Sequence, residues 1–472
     1  MKITDKTSIL LIIFISCIIA IYPIVYGHLH DWDEARNGIN ALEMLVNGDF
    51  INFHYNMQPD TWNVKPPLFI WSVVASYKIF GFNAFALRFP VFIAMTASLI
   101  VGYKLIRLYK SEVFSLGVII ALSLCKGIWG VHVGLTGDFD AFLTLFLLLL
   151  VYYIIQYTIT DNNKYLIIAA LFWGLAFLTK GTAAFIILPG IVLFLLAQKG
   201  WSKIFKNPYI YITVFIALLF PIAWMIINQI YGIKFENGYV GSKSAVQTMF
   251  LYDTFDRFTN STEFGSNEGS KIESLLSIID IRLYLAGYIF IIALLGIISV
   301  SMIHYFKIKE NLFKDNPFLQ LCLIISITTL LVLTLAEGTH HWYYAPYYLY
   351  YIIIAGLFIE WIIDRYPNIK YILPILFLLQ DFYLAKETFK LYSDDMNTVV
   401  SSIIPMLKKD EVEVLLPNQS LFLRLKWEKP DLIYSNSISK NKNYILTIEK
   451  QEIENYELVQ SVNNIFFLYK RI

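Results

Sequence analysis

The chain has 472 residues, 57% hydrophobic, 17% aromatic and 15% charged, with 37 Lys and Arg against 36 Asp and Glu for a net charge of +1. Soluble domains are about a quarter charged, so this composition describes a polytopic membrane protein. Near-neutrality excludes a nucleic-acid binder, which needs a basic patch or stripe.

A membrane span needs about 20 apolar residues. In chain order the candidates are 8–26, 86–106, 112–131, 139–157, 165–179, 182–198, 209–230, 283–303, 317–336, 345–363 and 369–385, about eleven crossings by that length rule. The first is too long for a signal-peptide core and has no small-residue cleavage site before His28, so it reads as a retained anchor. Lys2 and Lys6 precede it, and basic residues recur in alternate connections: Lys104, Arg107 and Lys110, then Lys199, Lys203 and Lys206, then Lys307, Lys309 and Lys314, then Arg365 and Lys370. By the positive-inside rule these loops are cytoplasmic, and 27–85, 231–282 and the tail 386–472 lie outside.

The expected fold is therefore an all-α polytopic membrane domain over 1–385 with a small soluble α/β extracytoplasmic domain over 386–472. In 27–85, Ile39, Leu42, Leu45 and Val46 recur at helical spacing, and Leu68 to Phe80 is an apolar stretch too short to span. Both are expected to lie along the interface. The run Asn260 to Asn267 is rich in Asn, Ser and Gly and reads as a mobile loop in 231–282. In the tail a helix is expected from Met396 to Leu407, followed by strands at Val412–Leu416, Leu421–Trp427, Tyr444–Ile448 and Ile465–Tyr469. Cys17, Cys125 and Cys322 stand far apart in apolar sequence, which suggests neither a disulfide framework nor a thiolate metal site. The abundance of Ile, Lys, Asn and Tyr is that of an AT-rich bacterial genome, and the expected location is a bacterial cytoplasmic membrane.

Two charged clusters flank the first outer loop: Asp31-Trp32-Asp33-Glu34-Ala35-Arg36 and Lys65-Pro66-Pro67-Leu68. Charges at a membrane surface are costly and are kept mainly where charge must be met. On a helix starting near Trp32, Asp33, Arg36, Asn37 and Asn40 share one face, and Ile39, Leu42 and Val46 another. Asp31 fits an N-cap with Glu34 three residues on, which leaves Glu34 open between a capping and a catalytic role. Asp33, accompanied by Arg36 and Lys65, is the first choice for a base. Pro66 and Pro67 hold Lys65 extended, where it would meet a phosphate at little ordering cost; alone it would read as a snorkelling lysine. Asp138 and Asp140 both stand at the outer end of one span, although a helix start uses only one capping carboxylate. At least one of the two is expected in the site, and the spacing does not choose between them. His28, His30, His54, His132, His340 and His341 all fall near the same face, but no H-E-x-x-H pattern occurs. No metal ligand is assigned, and a divalent cation is the one cofactor left to consider.

Taken together, these motifs resemble the GT-C membrane glycosyltransferases of the protein O-mannosyltransferase and lipid A aminoarabinose transferase type. The matching elements are Asp33-Glu34-Ala35-Arg36, Lys65-Pro66-Pro67-Leu68, Leu87-Arg88-Phe89-Pro90, Asp140-Ala141-Phe142-Leu143, Gly174 to Gly181 and Tyr343-Tyr344-Ala345-Pro346, in family order over roughly residues 8–365. The resemblance implies a polyprenyl-phosphate sugar donor, an acceptor that is a lipid, a glycan or a protein, and a site at the outer membrane face. It implies that Asp33 activates the acceptor hydroxyl, that Lys65 and Arg36 hold the donor phosphate, that Asp140 is the second acid, and that Tyr343 lies near the phosphate. Arg257 is the candidate for a further phosphate-binding arginine in 231–282. One base with electrostatic stabilisation of the leaving phosphate suffices, and the absence of an enzyme nucleophile implies inversion. An O-antigen ligase or polymerase would carry a late, arginine-rich outer loop, and a transporter would carry charged or broken spans at mid-bilayer. Neither pattern fits as well.

Overall fold

The computed structural model describes residues 4–27, 29–236, 241–256, 288–295, 316–336, 340–368 and 396–472, less 416–417, 436–437, 439–441, 449 and 463–465. Among the described residues, seven helical stretches are long and apolar enough to cross a membrane. Helix α1 (Asp5–Tyr26) is capped by Thr4 and carries Pro23. Helix α2 (Asp33–Asn47), the short hairpin β1–β2 (His54–Tyr55 and Gln58–Pro59) and α3 (Leu68–Phe80) form the first loop region. Then come α4 (Ala84–Arg107), α5 (Glu112–Ser123), α6 (Asp140–Thr160) and α7 (Lys164–Lys180), the last prolonged by a 3-10 turn over Gly181–Phe185. Helix α8 (Leu188–Lys206) kinks at Gly200, whose φ is 75°, before α9 (Pro208–Tyr231). Later come α10 (Pro317–Leu335), a 3-10 turn (His341–Tyr347) and α11 (Tyr348–Arg365).

The two ends of the bundle differ in chemistry. At one, Asp5 pairs with Arg107 at 2.8 Å, Glu360 with Lys110 at 2.5 Å and Asp161 with Lys199 at 2.5 Å. At the other lie the starts of α2 and α6 and the end of α7, with the acids and cations treated below.

Three expectations change. The span 112–131 is a helix only to Ser123, after which residues 124–139 run in turns. Gly134 makes that path possible, because a Cβ there would stand 2.5 Å from the Ile128 carbonyl oxygen. The strand expected at Leu421–Trp427 is instead α13 (Gln419–Glu428), started by Asn418, whose side chain accepts the Leu421 N–H at 3.1 Å. An effective cap and a run of leucines favour helix over the strand pattern. Helix α2 was expected to lie along the interface with Asn37 and Asn40 on one face and Ile39 and Leu42 on another, but Asn37, Asn40 and Glu43 are buried along with Ile39, Leu42 and Met44. The tail covers it. There α12 (Met396–Leu407) and α13 flank a four-stranded sheet of β3 (Val412–Val414), β4 (Tyr444–Thr447), β5 (Tyr456–Val462) and β6 (Phe466–Arg471). The strand order is β3-β4-β6-β5, with β3 and β4 parallel and the other pairs antiparallel. The expected spans 283–303 and 369–385 fall largely or wholly outside the described residues, as does the run 260–267.

Candidate active site

Trp32, with φ 72° and ψ −101°, turns the chain sharply so that Asp33 opens α2 without a side-chain cap. Asp31 does not cap this helix. Its carboxylate accepts the Ser420 N–H at 2.7 Å and a hydrogen bond from the Asn418 amide, tying the loop to the tail. Glu34 is fully buried and meets four donors: Arg88 Nε at 2.5 Å and Nη2 at 2.7 Å, the Gly137 N–H at 2.9 Å and the His30 N–H at 2.8 Å. Arg88 also donates to the carbonyls of Pro23 and Gly27, each at 2.9 Å. One ion pair thus joins the end of α1, the start of α2, α4 and the turn before α6. Arg36 does not pair with Asp33. It forks onto Asp60 with contacts of 2.8 and 2.6 Å and covers the Tyr55 ring at 4.6 Å. Burial pushes the Asp60 carboxyl up, but the Arg36 guanidinium and the Asn40 amide outweigh it and hold it below the usual range.

Asp33 instead stands by His132, whose Nδ1 lies 3.3 Å from Asp33 Oδ2 and 3.6 Å from Asp138 Oδ2. His132 adopts a left-handed φ of 67°, and its ring packs on Trp342 at 4.0 Å. Asp138 is buried and accepts the Thr136 hydroxyl at 2.6 Å and the Asn37 amide at 3.2 Å. Burial opposes both charges, yet His132 is pushed above and Asp138 below its ordinary range, each held by the other's charge. The Asp33 side chain is 36% exposed, so the open group of this trio is the one a substrate can reach. One ligand atom from each of Asp33, His132 and Asp138 lies within 4.8 Å of the others, a donor set that would also suit a divalent cation.

Two residues along the chain, Asp140 faces a different neighbourhood. Lys180 Nζ contacts both its oxygens, at 2.6 and 2.7 Å, and lies 4.8 Å from the centre of the Tyr343 ring. Lys65 Nζ donates to Asn63 Oδ1 at 3.3 Å and sits 5.0 Å from the Phe139 ring centre. Lys65, Lys180, Asp140 and Tyr343 line one cavity, whose remaining wall includes Leu143, Ile186, Val332 and Leu333. Charged and apolar side chains thus line the same cavity.

Of the residues singled out in the sequence, Lys65, Asp140 and Tyr343 come together in this cavity, and Asp33 and Asp138 meet at His132. Glu34 and Arg36 are directed into ion pairs, and Arg257 lies outside the described residues. Lys180, His132 and Asp60 were not among the expected site residues. The run ending Thr179-Lys180-Gly181 held a signal for the first, a lone cation closing an apolar helix. For His132 and Asp60 no spacing rule would have served, since their partners lie in distant loops.

Residues 64–227 match the model of the dolichyl-phosphate-mannose-protein mannosyltransferase family. An uncharacterized protein of Aquifex aeolicus (strain VF5) is 29% identical over 220 residues, 44% of this chain and 42% of that protein, so the likeness spans about two-fifths of the relative's length. The fold is similar to that of ArnT from Cupriavidus metallidurans bound to undecaprenyl phosphate, with a TM-score of 0.69 and 14% identity over 98% of each chain. The Archaeoglobus fulgidus oligosaccharyltransferase in complex with Zn and sulfate aligns at a TM-score of 0.55 and 14% identity, over 92% of this chain and 58% of that one. The chain has the GT-C glycosyltransferase fold, mostly helical with a small strand-bearing C-terminal region.

Proposed function

We propose that this protein is an inverting glycosyltransferase that moves a sugar from a polyprenyl-phosphate donor to a hydroxyl of a lipid, glycan or protein acceptor at the outer face of the cytoplasmic membrane. The observation that carries the reading is a single cavity lined both by Lys65 and Lys180 and by apolar Leu143, Ile186, Val332 and Leu333. Those are the two halves of a polyprenyl phosphate, a dianionic head and an isoprenoid chain. The undecaprenyl phosphate bound by ArnT, which has this fold, supports the same ligand class.

In this mechanism Asp33 removes the acceptor proton, and the oxygen attacks the anomeric carbon from the side opposite the phosphate. The carbon–oxygen bond to phosphate breaks, and its electron pair goes to the phosphate oxygen, where Lys65 meets the growing charge. Preorganised cations of this kind are the main source of rate when the leaving group is an anion. Lys180 is shared between Asp140 and the incoming phosphate, so Asp140 holds it in the wall of the cavity. Glu34 and Arg36 act through their ion pairs, which hold α2 and the loop around Asp60. The basic ends of α4 and α8 and the Lys110 connection lie opposite this site, which under the positive-inside rule supports an outward-facing centre.

Asp33→Asn should lower turnover at least about 10²-fold while undecaprenyl phosphate still binds, measured on purified protein in nanodiscs. Unchanged turnover would move the base to another acid. Alkaline phosphatase joined at residue 472 should be active and green fluorescent protein there dark; the opposite result reverses the orientation.

The Asp33–His132–Asp138 trio also favours a second role, binding a divalent cation, whose positive charge would then lie beside the acceptor. Dialysis against a chelator separates the two roles. If the trio acts as a base alone, turnover survives; if it holds an ion, turnover is lost and returns with added metal.

A further inference from the structure

Helices α6 to α9 do not pack as a closed bundle. A Cβ at Gly174 would run into the Phe220 ring, so α7 and α9 lie directly against each other. At Gly190 a Cβ would stand 2.7 Å from Thr328 Oγ1, so α8 is drawn to α10 instead, and Gln198 donates to Gln320 across that contact at 2.6 Å. As a result α8 and α9, neighbours in sequence, barely touch. A slot of about 320 Å³ runs between them, floored by Ile154 of α6 and Ala170 of α7 and walled by Leu195 of α8 and Ala217 of α9. Val192 and Val214 also line it and are 53% and 52% exposed, so the slot opens sideways toward lipid.

Two polar side chains stand in this lining, and both are spent. The Trp173 indole N–H donates to the Ala184 carbonyl at 2.9 Å, and the Thr213 hydroxyl to the Tyr209 carbonyl at 2.7 Å. No side chain of the lining is left to hold a water, and an empty slot would forfeit dispersion contacts along its whole length. A hydrocarbon chain satisfies both conditions.

One end of the slot is charged. After the kink at Gly200, the last turn of α8 crosses that end and places Ile204 and Phe205 in the lining. Trp201 and Phe205 are exposed, and their rings stack at 5.3 Å and 12°, as aromatic side chains do at a membrane interface. Lys203 and Lys206 flank Ile204 and Phe205 on the same turn and are exposed. Within 141–235, Lys164, Lys199, Lys203 and Lys206 stand at this end against one carboxylate, Asp161, which Lys199 meets at 2.5 Å. Basic residues beside a pocket between membrane helices suit an anionic headgroup.

We propose that this slot binds an anionic phospholipid, with one acyl chain between α8 and α9 and the phosphate on Lys203 and Lys206. The site lies at the opposite end of the bundle from Lys65 and Lys180, and it is independent of the glycosyltransferase reading.

The test titrates the full-length protein in detergent with dioleoyl phosphatidylglycerol or dioleoyl phosphatidylcholine, read by native mass spectrometry. The anionic lipid should bind about tenfold or more tightly, as two lysines near a headgroup predict. Lys203→Gln with Lys206→Gln, both surface changes, should bring the two lipids level. Val214→Trp, which fills the opening from a half-exposed position, should weaken both, with size exclusion reporting that the variant is folded. A phosphatidylglycerol carrying a diazirine near the end of one chain should label the peptides of Ile154, Ala170 and Leu195 in preference to the exposed Ile226 and Ile230 of α9. Equal binding of the two lipids, an anionic preference that survives the lysine variant, unchanged binding by folded Val214→Trp, or label spread evenly over α9 would each overturn the proposal. Displacement of the phospholipid by undecaprenyl phosphate would assign the slot to a polyprenyl chain and overturn it as well.

Discussion

At the residue scale, charge in this site is almost everywhere paired, and pairing decides what each substitution costs. Arg36 and Asp60 show the rule. Removing one partner of a buried pair strands the other, which costs about 3–5 kcal/mol. Arg36→Met should therefore lower the unfolding temperature strongly, and Arg36→Met with Asp60→Leu should recover much of the loss. The pH dependence has a definite sign. The Asp60 carboxyl is held below its ordinary range in the folded protein, so its contribution is complete above the unfolded value of about 3.9 and is lost as pH falls through the folded one. Thermal unfolding followed from pH 7 down to pH 3 should show less acid sensitivity in the double variant than in the wild type; equal slopes would remove this pair as a source of acid lability. Lys65 differs, because its partner is a neutral amide at 3.3 Å and a ring face. Lys65→Ala should stay folded yet lose about 2–4 kcal/mol of transition-state stabilisation, with Lys65→Arg retaining part of it. A fully active Ala variant would mean a snorkelling lysine.

Elements place these residues, and here the sequence was informative to a definite limit. Helical periodicity located α2, and the short apolar stretch from Leu68 to Phe80, flanked by Pro67 and Gly81, is α3. Asp33 and Lys65 could be picked out because each is a charge at the edge of an apolar run, whereas Asp140 and Tyr343 were implied by the family resemblance, the spacing leaving Asp138 and Asp140 open. Their pairings could not, because a spacing rule sees neighbours on one helix. It put Arg36 beside Asp33, whereas the fold brings Asp60 to Arg36 and His132 to Asp33 from other loops. The same limit hid the turns that begin at residue 124, inside the apolar stretch 112–131 that looks like a span until its glycines are given a backbone path. Glu34 stayed ambiguous in sequence, and its four donors now make a concrete prediction. Glu34→Gln keeps the shape but breaks the ion pair with Arg88, leaving a cation buried among helix ends. Unfolding should come several degrees earlier, and Glu34→Gln with Arg88→Met should regain stability. If Glu34 only positions α2, turnover per folded molecule should fall far less than in Asp33→Asn; an equal fall would make it part of the chemistry.

Across the whole molecule, the tail is tied to the helix that carries Asp33, although composition alone marked it as a module apart. Lys426 of α13 reaches Glu43 of α2 at 2.9 Å with both side chains fully buried, and also donates to the Leu432 carbonyl at 2.6 Å. Asn56 and Tyr434 exchange hydrogen bonds of 2.8 and 3.2 Å, and Asp31 holds the start of α13. Gly38 lets α13 approach, since a Cβ there would run into the Leu423 side chain. The contacts bracket Asp33 at positions 31, 38 and 43, while the residues lining the cavity of Lys65 and Lys180 all belong to the membrane domain. The two parts of the site should therefore separate in kinetics. Lys426→Met leaves Glu43 buried and unpaired, at a cost of about 3–5 kcal/mol. Adding Glu43→Gln should restore folding, because a neutral pair removes the stranded charge. In that double variant the helix keeps its cover but loses its fixed register, so turnover should fall several-fold with undecaprenyl phosphate affinity unchanged. Joint loss of affinity and turnover would mean that the tail supports the bundle as a whole. Unchanged turnover in a folded double variant would mean that α2 holds Asp33 without help from α13.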